Sequence, residues 1–219
     1  MTKANQQRDT MKKSRQAKDI APLLRRTWNT RELLESYRPH HAHPNKALLF
    51  DLAFDEGPAP TGEMTLTRWP TLPLPATMGQ PAAAFRIEAI PGHFTYAPAG
   101  QADTLEWHLN FADRDAFATW RTALFAQDEI QVAEHPALAA LHLAAREQDI
   151  SMRTVDEALD YSSRPTPVLV SGVERRIEVE TTASGLYGNA FQRATQEQIS
   201  QATRRIDPPT LSHILAIQV

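Results

Sequence analysis

The stretch LFAQDEIQVAEHPAL, Leu124 to Leu138, decides how this chain is read. It sets Gln127, Asp128 and Glu129 side by side, follows them with an apolar run and ends at a proline. Proline lacks an N–H and is tolerated in the first turn of a helix but not in its interior, so Pro136 closes one helix and opens another, PALAALHLAAREQ. Upstream, Phe117, Trp120, Leu124 and Ile130 recur at roughly helical spacing, which predicts a helix from Asp115 to Glu134. Two readings of the acid pair stay open on these residues alone. One is a solvated helix face, the usual place for charged side chains. The other is a general acid/base, which needs a carboxyl whose pKa is raised by burial or by a second acid. Adjacent helical residues lie ~100° apart, so only one of the pair would face a ligand.

Outward from this stretch, DTLEWHLNFAD (Asp103 to Asp113) alternates, with Leu105, Trp107, Leu109 and Phe111 on one side of an extended chain, and reads as a strand. Trp107 and Trp120 sit at the apolar phase of their elements, which favours core packing over stacking on a ligand. DISMRTVDEALDY predicts a further short helix, and PTPVLVSGV (Pro165 to Val173) a buried strand that RRIEVETT extends. GLYGNAF is a glycine-marked loop, either a plain turn or a ligand loop. QRATQEQISQATRRI reads as a helix with Ile199, Ala202 and Ile206 inward, closed by Pro208-Pro209, and LSHILAIQV is a final apolar strand. The order strand, helix, strand, helix, strand predicts an α/β domain, a mixed or parallel sheet covered by helices. With no helix after its last strand, the domain is expected to be C-terminally shortened.

The front half is less regular. APLLRRTWNTRELLESY reads as helix, with Asn29 and Glu32 as a capping box. RPHHAHPN is a loop, whose His40, His41 and His43 lack a cysteine or carboxylate neighbour, so no metal is expected there. KALLFDLAF (Lys46 to Phe54) has strand length, MTLTRW could form an edge strand, and a hairpin is expected around Pro91-Gly92. The expected organisation is a polar tail over residues 1–20, an accessory helical/β region over 21–103 and the α/β domain over 104–219.

Composition narrows the function. The formal net charge of −3 provides no general nucleic-acid patch, and the absence of cysteine removes disulfides, thiolate metal sites and cysteine nucleophiles. No window approaches the ~20 apolar residues of a membrane span, and the basic N-terminus has no apolar core, so a cytoplasmic protein without a membrane partner is expected. Eight glycines against sixteen prolines leave few places where backbone can close on a phosphate.

Taken together, NFAD (Asn110 to Asp113), AQDEIQVAEHPAL, PVLVSGV, GLYGNAF and HILAIQV resemble, in that order, the macrodomain superfamily, most closely its poly(ADP-ribose) glycohydrolase-like branch. The resemblance covers roughly residues 104 to 219. It implies a macrodomain-like mixed sheet and an ADP-ribose or ADP-ribosylated macromolecule as partner. It further implies hydrolysis of ADP-ribosyl linkages with Glu129 as acid/base, without metal or other cofactor. Gln127, Asp128 and Glu129 match the family's Gln-Glu-Glu signature. Asp128, Asn110 and Asp113 would orient the distal ribose, although Asn110 stands where the family has Asp and Asp113 where it has Asn. Gly185, Gly188, Asn189 and Phe191 would wrap phosphate. The chain departs from the family where a glycine triplet should precede the signature: RDAFATWRTALF contains none. Either Arg114 or Arg121 meets the diphosphate by another route, or that site is lost. The alternative to an enzyme is therefore a catalytically degenerate member, a non-enzymatic binding or protein-interaction module, with Arg121 or Trp120 filling the space beside Glu129.

Overall fold

The structure, a computed structural model, describes residues 20–55, 57–71, 104–156 and 164–218. The hairpin expected around Pro91-Gly92 and the later part of DISMRTVDEALDY lie outside them. A five-stranded sheet forms the centre: β1 (Leu24–Asn29), β2 (Glu63–Arg68), β3 (His108–Ala112), β4 (Val168–Val179) and β5 (Thr203–Gln218), in the order β1-β2-β4-β5-β3. β3 runs parallel to β5, and the other described pairings are antiparallel. This is the mixed α/β arrangement the sequence predicts, and strands from either side of residue 104 share the one sheet.

Five helices accompany the sheet among the described residues: α1 (Thr30–Ser36), α2 (Pro44–Phe54), α3 (Gln127–Glu134), α4 (Ala137–Glu147) and α5 (Gln196–Ala202). Val168, Val170, Ile214 and Ala216 of the central strands pack with Leu33 of α1 and Leu138 and Leu141 of α4. A second cluster joins Leu49 of α2, Ile130 of α3, Ile177 of β4 and Ile199 of α5 around Phe125 and Phe191. Each such Val, Leu, Ile or Phe side chain contributes roughly 1.5–3 kcal/mol on burial. Packing, more than intrinsic propensity, therefore holds helices this short. None of the described helices is long and apolar enough to cross a membrane.

Several expectations need correction. Lys46 to Phe54 is not a strand but the body of α2. Pro44 takes the first turn, His43 Nδ1 accepts the Asn45 N–H at 3.3 Å, and Lys46, Leu49, Phe50 and Ala53 form one buried stripe at helical spacing. No β-branched residue in the run opposes the helix. The Asn29 cap is real, its side chain accepting the Glu32 N–H at 3.1 Å, but the helix begins only there. Leu24–Asn29 is instead β1, held by its ladder to β2 and by a 2.9 Å contact between the Thr27 and Thr65 hydroxyls. β2 is no edge strand, since β4 pairs with its other side.

Farther along, the helix predicted from Asp115 to Glu134 is cut. Phe117 adopts φ +63°, a single 3₁₀ turn covers Ala118–Arg121, Thr122 and Ala126 are extended, and α3 starts at Gln127. Residues 150–156 form isolated bridges rather than a helix. Pro208-Pro209 does not close a helix. α5 ends at Ala202, and both prolines fall within β5, where the ladder to β4 loses register between Arg175 and Ile177. The apolar row on β3 is also reversed. Leu105, Trp107, Leu109 and Phe111 are exposed, whereas Asn110 and Ala112 face the helices. Trp107 is thus not a core residue; Trp120 is.

Candidate functional site

The start of α3 gathers most of the residues the sequence singles out. Gln127 does not project into a ligand space. Its Nε2 donates to the Leu109 carbonyl at 2.7 Å and its Oε1 accepts the Phe111 N–H at 2.8 Å, so the amide acts as a strand neighbour for the outer edge of β3. Edge strands with free backbone groups invite pairing with other chains, and this side chain occupies two of those groups. The next residue, Asp128, enters a buried network. Asn110 Nδ2 donates to Asp128 Oδ1 and to Gln131 Oε1, each at 2.8 Å, and the Thr119 hydroxyl donates to Asp128 Oδ2. Turning the Asn110 amide over would aim its oxygen at the Asp128 carboxylate, which favours this orientation. Burial pushes the Asp128 carboxyl above its ordinary pKa, opposed by the hydrogen bonds from Thr119 and Asn110.

Glu129 faces the other flank, in the first turn of α3 and almost fully buried. Its Oε2 accepts the Ala126 N–H at 2.9 Å. Ala126 has no side-chain oxygen with which to cap the helix, so this is half a capping box, with the glutamate also well placed against the helix dipole. Beside Glu129 the packing closes. His41, Lys46, Phe50 and Trp120 leave a cavity of about 10 Å³ against it, the space of roughly one water molecule. The His41 ring stands edge-on to Trp120 at 5.1 Å, and the Arg121 guanidinium lies over the Trp120 ring, 4.8 Å from its centroid.

Lys46 is the cation of this cluster. It is buried, its Nζ donates to the Trp120 carbonyl at 3.4 Å, and burial lowers its pKa to about 8 against the opposing pull of Glu129 and Asp128. Burial, then the Lys46 charge, lowers His41 to about 4, so His41 is neutral at pH 7. The sequence reading missed Lys46 and weighed His41 only as a metal ligand in a loop. The available signal was the stripe of Lys46, Leu49, Phe50 and Ala53, which places a lysine on the inner face once the run is read as helix.

The remaining candidates are spread apart. Asp113 lies exposed past the end of β3, its Oδ1 accepting the neighbouring Arg114 N–H at 2.6 Å. Gly185 and Gly188 have φ of +68° and +67° with open space where a side chain would start, and Asn189 is exposed. Phe191 is fully buried and stacks on Phe125 with centroids 4.0 Å apart. Asn45 fastens the same segment by donating to the Phe191 and Ala194 carbonyls, each at 2.9 Å, and the Gly188 N–H donates to the Phe125 carbonyl at 2.8 Å. The structure therefore brings Asn110, Gln127 and Asp128 together and sets Glu129 beside Lys46. It links the 185–191 loop to them through Phe125 and leaves Asp113 outside.

The far end of α3 carries another buried acid. Glu134 accepts Arg175 Nε at 2.9 Å and the Val179 N–H at 2.8 Å, which ties the helix to β4. Among the described residues no group of three or more His, Asp or Glu is placed to hold a metal ion. No protein-family model matches the chain, and no curated protein matches it.

Proposed function

We propose that this chain is a macrodomain-like α/β domain that has given up ADP-ribosyl hydrolysis and serves as a non-enzymatic binding or protein-interaction module. The closure of the space beside Glu129 by Trp120, His41 and Lys46 carries this reading. An acid/base must come within hydrogen-bond reach of the glycosidic oxygen or of the attacking water. A cavity of about 10 Å³ admits neither a ribose nor its leaving group, whereas small-molecule sites enclose roughly 300–1,000 Å³. Both acids already have structural work: Glu129 caps α3, and Asp128 anchors Asn110 and Thr119. Trp120 and Arg121 also lie in the glycine-free segment where the resemblance implies a glycine triplet. Leu105, Trp107, Leu109 and Phe111, exposed in a row leading into and along β3, support a role in association. The test is release of ADP-ribose from ADP-ribosylated protein by the purified, folded chain and by its Glu129→Ala variant. Neither is expected to release ADP-ribose above the uncatalysed background. Turnover by the wild type that disappears in Glu129→Ala would overturn the proposal.

A further inference from the structure

A cleft of about 430 Å³ opens toward the C-terminal end of α3, between that helix, the end of β4, α5 and the start of β5. Its size falls within the range of small-molecule sites, and its chemistry differs from that of the α3 N-terminus. Four charged side chains along it form an alternating ladder. Arg175 donates from Nε to Glu134 at 2.9 Å and reaches Glu178 Oε1 through Nη2 at 3.6 Å, and Arg204 Nε donates to Glu178 Oε2 at 3.1 Å. Two carboxylates and two guanidiniums leave this wall without net charge. Glu180, also at the cleft, is taken up by its own turn, accepting the N–H groups of Thr182, Ala183 and Ser184.

An ionic ligand that displaced the inner rung, Glu134–Arg175, would leave the opposite charge buried and unpaired, which is costly. A hydroxyl group, by contrast, both donates and accepts. It can accept from a guanidinium and donate to the adjacent carboxylate while the ladder stays intact. Thr181 adds a hydroxyl of the protein's own. It is 7% exposed, lines the cleft, and its hydroxyl has no hydrogen-bond partner among the described residues. It is thus open to a molecule in the cleft. Ile130 and Val179 supply an apolar wall for the C–H face of a ring.

We propose that this cleft binds a small uncharged polyhydroxylated molecule, a sugar or polyol, held between the Arg175–Glu178–Arg204 ladder and the Thr181 hydroxyl. The site lies along α3 from Glu129 and does not depend on the state of the acid pair. The experiment is an NMR titration of the full ¹⁵N-labelled chain with glucose and with maltose, with glycine and inorganic phosphate as charged controls. Saturable shifts of the Thr181 and Thr203 amides are expected with at least one sugar, and binding at least about tenfold weaker in Thr181→Val. That variant should keep its fold, since the hydroxyl it removes bonds to no described protein group. Arg204→Gln, at a side chain 70% exposed, provides a second variant expected to weaken binding without unfolding. Absence of saturable shifts with either sugar, larger shifts with glycine or phosphate, or unchanged binding in both variants would each overturn the assignment.

Discussion

Replacing Asp128 by alanine separates a structural acid from a functional one. The carboxylate accepts from Asn110 Nδ2 and from the Thr119 hydroxyl in a site only 6% exposed. Truncation leaves one amide proton and one hydroxyl without an acceptor, each costing about 1–3 kcal/mol when buried. Part of that loss is returned because burial disfavours the ionised carboxylate, as its raised pKa indicates. The net expectation is a loss of about 2–4 kcal/mol, with Asp128→Asn, which keeps one acceptor oxygen, losing about half as much. Urea denaturation followed by far-UV circular dichroism reads this directly. With a slope of about 1–3 kcal/mol per molar, the midpoint for Asp128→Ala should fall by ~0.7 M or more. A midpoint that stays put, or rises, would refute the reasoning, because acids held for a ligand are typically kept at a cost to stability.

The other predictions concern the charged groups inside the fold. Arg175→Met should lose about 3–5 kcal/mol by leaving Glu134 buried without its partner, and Glu134→Met/Arg175→Met should recover much of it; equal losses in the single and double variants would argue against the pair. His135 is fully buried and neutral, its Nδ1 2.8 Å from the Gln131 carbonyl and its Nε2 2.9 Å from the Ser212 hydroxyl, and burial lowers its pKa from 6.5 to about 3. Its contribution, up to ~5 kcal/mol, is complete above pH ~6.5 and lost as pH falls toward 3, so His135→Gln should flatten the acid limb of a stability–pH curve. Lys46, lowered from 10.5 to about 8, works in the alkaline direction. Stability should rise by up to ~3 kcal/mol between pH 8 and 10.5 and be flat below 8, and Lys46→Met should abolish that rise in equilibrium unfolding.

The parts of the fold that were legible in the sequence rest on local physics. Asn29 and Glu32 fix the start of α1, Pro136 separates α3 from α4, and the valine-rich run from Val168 and the final HILAIQV mark the central strands. What could not be read depends on partners distant in the chain. Leu24–Asn29 becomes a strand because β2 offers it a ladder, and Lys46–Phe54 is a short apolar run whose period does not separate strand from buried helix. The alternation on β3 was visible, but not its direction. Asn110 turns inward because Asp128 and Gln131 wait there, and this sends Leu109 and Phe111 out. The candidate site was half visible for the same reason. Asp128 and Glu129 announce themselves as a motif, whereas the closure beside Glu129 needs Lys46 and His41 from a separate helix and loop.

Calorimetric titration of ADP-ribose into the purified chain tests most directly whether the acid pair sits in a working site. No heat at millimolar ligand, from a protein shown to be folded, is the expected result, since Trp120, His41 and Lys46 fill the space beside Glu129. Micromolar binding that weakens when Gly188 is replaced by valine would contradict it and place ADP-ribose back against the start of α3.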